Sequence, residues 1–292
     1  MVRVALVVPP KKRDQLAKRG FFDKGNHGVE YIGITSQDDL QALLASPPDL
    51  VISKIYEETP KTILEYIESV GPKVHPITES MQSVFRDRYE IIQTIWKGKK
   101  AESPDSALID SPVVDDYLIE AFLTEHEHVI VKPRLASGPS YSHNMCISSS
   151  LRVVKEFASR NYPVIVQQFV PHNGLFVKAF VIGEHVSLFA RQSVKESQMD
   201  SEINSQGLFK DGDSDDAFIA SRRAELLVMV DELVNLFRVP LLGIDFVVHS
   251  DNGQIYVVDV NYFPSYNELG NEFRVAMDAL VFSLLPTNGV DL

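Results

Sequence analysis

Cysteine is nearly absent from this chain, which has 292 residues and a single cysteine, Cys146. One cysteine excludes a disulfide framework, and its place in an apolar string predicts a buried, small hydrophobic side chain rather than a reactive thiol. Long hydrophobic runs are also missing. The run at residues 2–8 is too short to span a bilayer and lacks the cleavage pattern of a signal peptide, so we expect a cytoplasmic protein.

Positive charge is scarce as well, since 28 Lys and Arg stand against 40 Asp and Glu, a formal net charge of -12. This balance excludes a non-specific nucleic-acid binder, whose affinity comes from Lys and Arg on phosphates. Basic residues nevertheless cluster at 11–13, at Lys54 and at Arg86 with Arg88, and such local positive potential can draw a small polyanion into a cleft. We expect small anionic ligands, no nucleic acid, no membrane insertion and a monomer.

Hydrophobic residues make up 45% of the chain, enough to bury a core divided into two or three lobes. Alternating signals predict a parallel α/β lobe over residues 1–76. Its predicted elements are strands at 2–8, 28–34 and 50–55, helices at 37–44 and 60–69, and a basic loop at 9–13. A central lobe over 77–166 and a C-terminal lobe over 167–292 follow.

Helical spacing and β-branched runs predict the elements of these two lobes. The predicted helices cover 78–96, 113–124 and 221–237. Strands are predicted at 129–132 and, as an antiparallel meander, at 164–170, 175–181 and 186–191. Three polar stretches are predicted as loops, of which the last two have a mobile composition: 97–110, 136–142 and 197–216.

Near the C-terminus, two β-branched runs flank the turn sequence Asp251-Asn252-Gly253, which predicts a β-hairpin. Side chains alternate on a strand, so Asp259 and Asn261 share one face, and the hairpin can bring Asp245 to that face. Three hard oxygen donors of this kind suit Mg²⁺. The alternative is a solvated hairpin with ordinary polar faces, but the flanking residues indicate a buried strand pair in which a carboxylate needs a partner.

Two lysines stand where apolar strands are predicted. Lys132 ends one strand and precedes a proline, a position that suits an ammonium that binds nucleotide phosphates. A solvent-facing lysine at the end of a strand would have the same sequence pattern. Lys178 interrupts a run that is otherwise sheet core, and burial without an anion would be costly. Because Arg191 ends the next strand at a comparable level, we favour a polyanionic ligand. His143 follows a Ser- and Gly-containing loop and can donate to a phosphate or cap the next segment.

Several short motifs occur in the order and spacing of a known family. The chain resembles the inositol 1,3,4-trisphosphate 5/6-kinases, also called inositol tetrakisphosphate 1-kinases, of the ATP-grasp superfamily. The resemblance covers residues 51–292 and is looser before them. It rests on the segments 75–80, 87–88, 131–133, 142–145, 166–172, 176–183, 191–193, 243–245 and 259–264.

The resemblance implies an α/β ATP-grasp fold, in which an N-terminal parallel α/β lobe precedes two lobes that clasp ATP, and it implies roles for single residues. ATP and two Mg²⁺ ions are the implied cofactors, with Asp245, Asp259 and Asn261 as the metal ligands. Nucleotide binding is implied for Arg88, Lys132, Gln167, Gln168, Val170 and Arg191. Inositol phosphate binding is implied for Lys12, Lys54, His143, Lys178, Arg191 and Ser265, with Lys11 as the less favoured neighbour of Lys12. Direct participation in phosphoryl transfer is implied for Lys178, His143 and Asp259.

Three positions depart from the family pattern: Ser53 replaces a frequent His, Asn144 a frequent Glu, and Ser265 a frequent Gly. The backbone N–H of Ser265 can still serve a phosphate, so these changes bear on which hydroxyl is phosphorylated more than on activity. The sequence therefore predicts an inositol polyphosphate kinase. Two alternatives remain, a carboxylate–amine ligase on the same fold and a non-catalytic inositol phosphate or nucleotide binder. Five candidate substrate cations favour a polyphosphate over a ligase substrate, and the three metal donors favour catalysis over binding alone.

Overall fold

Three β-sheets organise the chain in a computed structural model that describes residues 1–23, 28–70, 74–75, 79–111, 113, 116–136, 140–193, 201–204 and 216–285. The first sheet is parallel, with strand order β2-β1-β3-β4. Its elements are β1 (Val2–Val7), α1 (Pro10–Lys18), β2 (Val29–Ile34), α2 (Gln37–Leu44), β3 (Leu50–Ser53), α3 (Lys61–Val70) and β4 (Val74–His75). The predicted parallel α/β unit is therefore present.

The second sheet is antiparallel and has the order β11-β7-β6-β8-β5. Its strands are β5 (Ser106–Ile109), β6 (Val129–Pro133), β7 (Asn144–Ser148), β8 (Val164–Gln168) and β11 (Ser201–Asn204). The helices of this region are α4 (Glu79–Val84), α5 (Arg88–Ile95), α6 (Asp116–Glu125) and α7 (Leu151–Asn161). Apolar side chains from α6 and α7 pack on the sheet, and Cys146 lies fully buried among them, as predicted.

The third sheet is also antiparallel, with the order β10-β9-β12-β13. It contains β9 (Leu175–Ile182), β10 (His185–Gln192), β12 (Leu241–Val248) and β13 (Ile255–Tyr262), accompanied by α8 (Asp216–Phe237) and α9 (Glu272–Leu284). One large apolar cluster joins this sheet to the N-terminal one, and Phe21 packs on Phe273 with ring centroids 5.0 Å apart. The first and third sheets thus share a core.

Four local predictions were wrong. The predicted basic loop is the start of α1, because Pro10 stands at the first helical positions, where its missing N–H needs no partner. The predicted helix 78–96 is two helices, since the Asp87 carboxylate accepts from Tyr89 N (2.9 Å) and caps α5. The loop 97–110 contains β5. The meander does not form because β8 joins the second sheet, which leaves β9 to pair with β10 on one side and with β12 on the other.

Other outcomes concern the loops. Of the predicted flexible stretch 136–142, residues 137–139 lie outside the described part, and Ser140–His143 form a short 3-10 turn. Within 197–216, residues 201–204 form β11 and 216 begins α8, while the others lie outside the described residues. No helix in the described ranges is long and apolar enough to cross a bilayer. The lobe boundaries at 76/77 and 166/167 stay predictions.

Candidate active site between the second and third sheets

The predicted acidic hairpin forms, and its register aligns the charged side chains across three strands. Asp245 on β12 pairs with Asp259 on β13 and, on its other side, with Lys178 on β9. Asn261 lies two residues beyond Asp259, opposite Gly243. A β-carbon at Gly243 would meet the Pro264 ring at 2.8 Å, so glycine is needed there for the chain to cross after β13. The hairpin and the neighbouring strand β9 therefore present two carboxylates, an amide and an ammonium on one face.

Lys178 and Asp245 form a buried ion pair, with 3.0 Å between Nζ and Oδ1. Burial and the nearby Asp259 raise the pKa of Asp245, and the Lys178 ammonium opposes part of this rise. For Lys178, burial lowers the pKa, but the attraction and hydrogen bond of Asp245, together with the charges of Asp259 and Glu268, make the net direction upward. The pair keeps two charges in a site that solvent hardly reaches.

The donor set of the hairpin fits a magnesium ion. Asn261 Nδ2 donates to Asp259 Oδ2 at 2.9 Å, which leaves the amide oxygen of Asn261 for another partner. Oxygen donors from two carboxylates and one amide are the hard ligands that Mg²⁺ takes, with water and phosphate oxygens in its other positions. The three predicted ligands are thus brought together in a way that suits the ion.

A cavity of about 320 Å³ adjoins this face and lies between the second and third sheets. Apolar side chains from both sheets line it, among them Ile130, Phe169, Phe176, Val247 and Val258. Its charged and polar lining includes Arg88, Lys132, His143, Lys178, Asp245, Asp259 and Asn261. A cleft with apolar walls and converging polar groups is the usual form of a small-molecule site.

Lys132 lines this cavity at the end of β6, as the sequence predicted. Its Nζ donates to Gln167 Oε1 at 2.8 Å, and Gln167 Nε2 donates to Ser106 Oγ at 3.0 Å. Burial lowers the pKa of Lys132 to about 8, although Asp259 counteracts the effect. An anion in the cavity would favour the charged form of this lysine.

Arg88 also reaches the cavity, from the first turn of α5. Its Nη1 donates to the carbonyl oxygens of Pro133 (2.7 Å) and Leu135 (2.6 Å), and the side chain is 9% exposed. These bonds hold the guanidinium against the chain that follows Lys132. Arg88 and Lys132 thus lie next to each other, both facing the acidic hairpin.

The strand that links the two sheets lines the cavity through Gln167, Gln168 and Val170. Gln168 N–H donates to the Asp105 carbonyl at 2.8 Å, and Phe169 N–H donates to the His128 carbonyl at 3.0 Å. His172 Nδ1 donates to the Val170 carbonyl at 2.7 Å. Hydrogen bonds from both directions thus fix the backbone of this linking strand.

His143 lines the cavity as predicted. Its expected role as a cation among phosphates stays a prediction. Without an anion present, burial and then the Arg88 charge lower the pKa of His143, and Lys11 adds to this effect. Lys11 is exposed, whereas the neighbouring Lys12 is buried.

Four predicted substrate residues are not in the lining of this cavity among the described residues. Lys12 Nζ donates to the carbonyls of Phe263 and Pro264 (3.0 and 2.5 Å), and Lys54 Nζ to those of Tyr262 and Phe263 (3.0 and 3.1 Å). Burial lowers the pKa of both, that of Lys54 to about 8.

The other two residues lie near the same segment. Arg191 pairs with Glu268, with 3.3 Å between Nη2 and Oε1, and the Ser265 carbonyl accepts from Arg19 Nη1 at 3.0 Å. Lys12, Lys54 and Arg191 thus contact the segment 262–268 at the end of the acidic hairpin, and Ser265 is part of that segment. The carbonyl groups supply the acceptors that an ammonium needs once it leaves water.

Sequence reasoning gave no role to other residues of the cavity. His172 and Ser193 line it, and both stood in recognised motifs without an assigned function. Met145, Ile147 and Phe176 add apolar lining. Strand alternation carried a signal for Phe176, which lies two residues before Lys178 and so on the same face.

Comparison with known families decides what kind of site this is. The family model for the inositol 1,3,4-trisphosphate 5/6-kinase ATP-grasp domain matches residues 110–282, more than half of the chain. The chain belongs to this family. The match spans the third sheet with its acidic hairpin, the second sheet apart from β5, and the cavity lining apart from Arg88. This membership confirms the resemblance to the inositol 1,3,4-trisphosphate 5/6-kinases that the sequence motifs indicated.

Curated relatives extend the similarity to the N-terminal residues. Inositol-tetrakisphosphate 1-kinase 3 of Arabidopsis thaliana is 23% identical over 280 residues, covering 88% of this chain and 77% of that protein. Inositol-tetrakisphosphate 1-kinase 1 of Oryza sativa subsp. indica is 22% identical over 274 residues, covering 86% of this chain and 76% of that protein. Both are kinases by name, so the chain belongs with ATP-dependent enzymes.

Solved structures confirm the fold. D-alanine–D-alanine ligase of Bacillus anthracis complexed with ATP matches with a TM-score of 0.61 and 14% identity, covering 98% of this chain and 96% of that one. D-alanyl-alanine synthetase A of Vibrio cholerae matches with a TM-score of 0.64 and 12% identity, covering 97% of this chain and 98% of that one. A RimK-domain ATP-grasp protein of Sphaerobacter thermophilus matches with a TM-score of 0.58 and 16% identity, covering 97% of this chain and 100% of that one. The architecture is the predicted ATP-grasp fold.

Proposed function

We propose that this protein is a magnesium-dependent kinase that transfers the γ-phosphoryl group of ATP to a hydroxyl of a soluble inositol tris- or tetrakisphosphate. The observation that carries the proposal is the alignment of Lys178, Asp245 and Asp259 across three strands, beside a cavity that Lys132 and Arg88 also face. Cations and metal-binding carboxylates around one cleft suit the transfer of phosphate between two polyanions.

In this proposal Asp245, Asp259 and Asn261 hold two Mg²⁺ ions. Bound there, the metal neutralises charge on the phosphates during transfer. Asp245 can turn from Lys178 toward such a ligand, because a single ion pair holds its Oδ1. The Lys178 ammonium would then be released toward the transferred phosphoryl group or the inositol phosphate.

The nucleotide is proposed to lie between the linking strand and the acidic hairpin. Backbone groups of Gln167, Gln168 and Val170 would bind the adenine edge, between apolar walls that include Phe169 and Val247. Lys132 and Arg88 would face the phosphates. Phosphate charge would counteract the effect of burial on Lys132, whose pKa lies near 8 without a ligand.

The inositol phosphate is proposed to bind next to His143 and Lys178. Lys12, Lys54 and Arg191 contact the segment 262–268, which contains Ser265, so a shift of that segment would expose the three cations and the Ser265 N–H to the same ligand. Arg191 is then close enough to serve either substrate. A cytoplasmic monomer is the simplest setting for an enzyme with two soluble, highly charged substrates.

The test is incubation of the purified protein with Mg²⁺, ATP and a panel of inositol tris- to hexakisphosphates, with products separated by anion exchange. We expect at least one member to elute later, with one more phosphate. A parallel reaction with amino acid pairs tests for ligase activity. ATP turnover that depends on an amine and a carboxylate, with no new inositol phosphate, would overturn the proposal, as would the absence of turnover with every acceptor.

A further inference from the structure

A second cluster of metal-binding side chains lies away from the acidic hairpin, at the C-terminal end of α6. It consists of Asp105, Glu125 and His126, and one ligating atom from each lies within 4.8 Å of the others. Asp105 immediately precedes β5, and Glu125 is the last residue of α6. The three residues therefore come from two separate chain segments that the fold brings together.

His126 is the buried member of this cluster. The side chain is 9% exposed, and its buried Nε2 has no hydrogen-bond partner among the described residues. This nitrogen lies 3.4 Å from Asp105 Oδ2, longer than the usual range of about 2.7–3.2 Å for an N–H···O hydrogen bond. A buried polar atom without a partner is costly, so the position calls for a ligand.

The separation suits two ligands of one zinc ion. With Zn–N and Zn–O bonds of about 2.0–2.1 Å and tetrahedral angles, neighbouring donor atoms lie about 3.3 Å apart. The 3.4 Å between His126 Nε2 and Asp105 Oδ2 matches this value. Glu125 is exposed and can turn its carboxylate into the third position, which leaves the fourth for water.

Charge also favours a cation at this place. Among the described residues, no lysine or arginine pairs with Asp105 or Glu125, so two negative charges lie together with a histidine as their neighbour. The C-terminal end of α6 adds the partial negative charge of its last carbonyl groups. An imidazole with two carboxylates is a donor set for Zn²⁺ rather than for Mg²⁺, which prefers oxygen alone.

We propose that Asp105, Glu125 and His126 form a zinc site that braces the strand linking the second and third sheets. The Asp105 carbonyl accepts from Gln168 N–H, and the His128 carbonyl accepts from Phe169 N–H. A metal that ties Asp105 to the residues after α6 therefore fixes both acceptors of the linking strand. This inference does not depend on the proposed kinase activity.

The test measures Zn²⁺ bound to the wild-type protein by equilibrium dialysis in excess Mg²⁺, which keeps the acidic hairpin occupied. The variants are Asp105→Asn, Glu125→Gln and His126→Gln, and the matched controls are Glu120→Gln on the same helix and His185→Gln on β10. Asp105 and Glu125 are exposed, so their variants are expected to fold whether or not the buried His126 tolerates replacement.

We expect one Zn²⁺ per chain in the wild type and in both controls, with affinity lowered by at least about tenfold in Asp105→Asn and Glu125→Gln. Zn²⁺ should also slow hydrogen exchange at the Gln168 and Phe169 amides of the wild type but not of these two variants. Co²⁺ in its place should give the visible absorption of a tetrahedral site. Wild-type binding weaker than about 0.1 mM, equal binding by the variants, or equal loss in the controls would overturn the proposal.

Discussion

Two sets of buried lysines in this molecule differ in what their ammonium groups contact. On the third sheet, Lys178 faces the carboxylate of Asp245, and its pKa is raised despite burial. In the N-terminal part, Lys12 and Lys54 face the carbonyls at 262–264, and burial lowers their pKa values. A carbonyl satisfies a hydrogen bond but does not neutralise a charge.

This difference separates a lysine that faces carboxylates in the cavity from two lysines that backbone carbonyls hold outside it. Lys178 lines the cavity together with the carboxylates of Asp245 and Asp259. The Lys12 and Lys54 ammonium groups tie the N-terminal part of the chain to the segment after the acidic hairpin, about 210 to 250 residues away in sequence. Burial of a lysine alone therefore does not identify an anion site, because the partner decides its role.

The largest expected effect on activity comes from the carboxylates that lie beside Lys178. Asp259→Asn should keep the fold but lower Mg²⁺-dependent turnover by at least about a hundredfold, because the hairpin geometry survives while a metal-binding charge is lost. Asp251→Asn in the exposed turn is the control and should turn over like the wild type. Steady-state rates and thermal midpoints of the two variants are the measurement. An Asp259→Asn rate near that of the wild type would show that the metal assignment is wrong.

The next prediction sets Lys178 against Lys54. Lys178→Met should raise the KM for the inositol phosphate by about tenfold to a hundredfold, since a charge-assisted hydrogen bond contributes about 1.5–3 kcal/mol. Lys54→Met should change that KM less and the thermal midpoint more. The KM for ATP is measured alongside. If Lys54→Met gave the larger rise in KM, Lys54 and not Lys178 would be the main contact of the inositol phosphate.

His143 should give a smaller effect that depends on charge. Its pKa is lowered in the ligand-free site, and a polyanion should raise it, so substrate binding near about pH 6.5 should take up a proton. Calorimetry in buffers of different ionisation enthalpy measures this uptake, which His143→Ala should remove.

Rescue variants distinguish a cationic clamp from an acid–base group at this position. His143→Ala should lower kcat/KM by about tenfold, and His143→Lys or His143→Arg should recover part of the loss. Neither replacement can accept a proton at neutral pH. No recovery with either cation, together with the loss of an activity limb near the histidine pKa, would make His143 an acid–base residue.

The smallest effect concerns stability and pH. The pKa of Lys54 is about 8 in the folded chain and near its ordinary value in the unfolded one. Between about pH 8 and 10 the unfolded chain binds more protons, so this lysine destabilises the fold at lower pH and the free energy of unfolding rises with pH. Lys54→Met should reduce this rise by up to about 1 kcal/mol per pH unit, measured by urea denaturation. An unchanged slope would contradict the buried position.

Local sequence patterns were sufficient for the elements that carry the active-site chemistry. Alternation on two β-branched runs and one turn sequence placed Asp245, Asp259 and Asn261 on a common face, and the register bears this out. The run around Lys178 gave the neighbouring strand. These features depend on contacts between nearby segments, for which strand periodicity is a direct guide.

The errors arose where a distant partner decides the structure. Strand β5 was read as a loop because its partner, β8, lies about sixty residues away, and β8 was assigned to the wrong sheet for the same reason. The preference for Lys12 over Lys11 as the substrate cation stays a prediction, but the contact of Lys12 Nζ with the carbonyl of Pro264 was not foreseen. The local sequence around Lys12 does not predict that acceptor. Position within a lobe could be predicted, but contacts between lobes could not.

The most direct measurement is a single turnover with ATP labelled on its γ-phosphate, in which ADP and labelled product are quantified together. The account predicts one labelled inositol phosphate for each ADP, with the label in a phosphate ester that resists hydroxylamine. Asp259→Asn should form neither. ADP formed without a matching inositol phosphate, or label in a hydroxylamine-sensitive acyl phosphate, would contradict the account and favour a ligase.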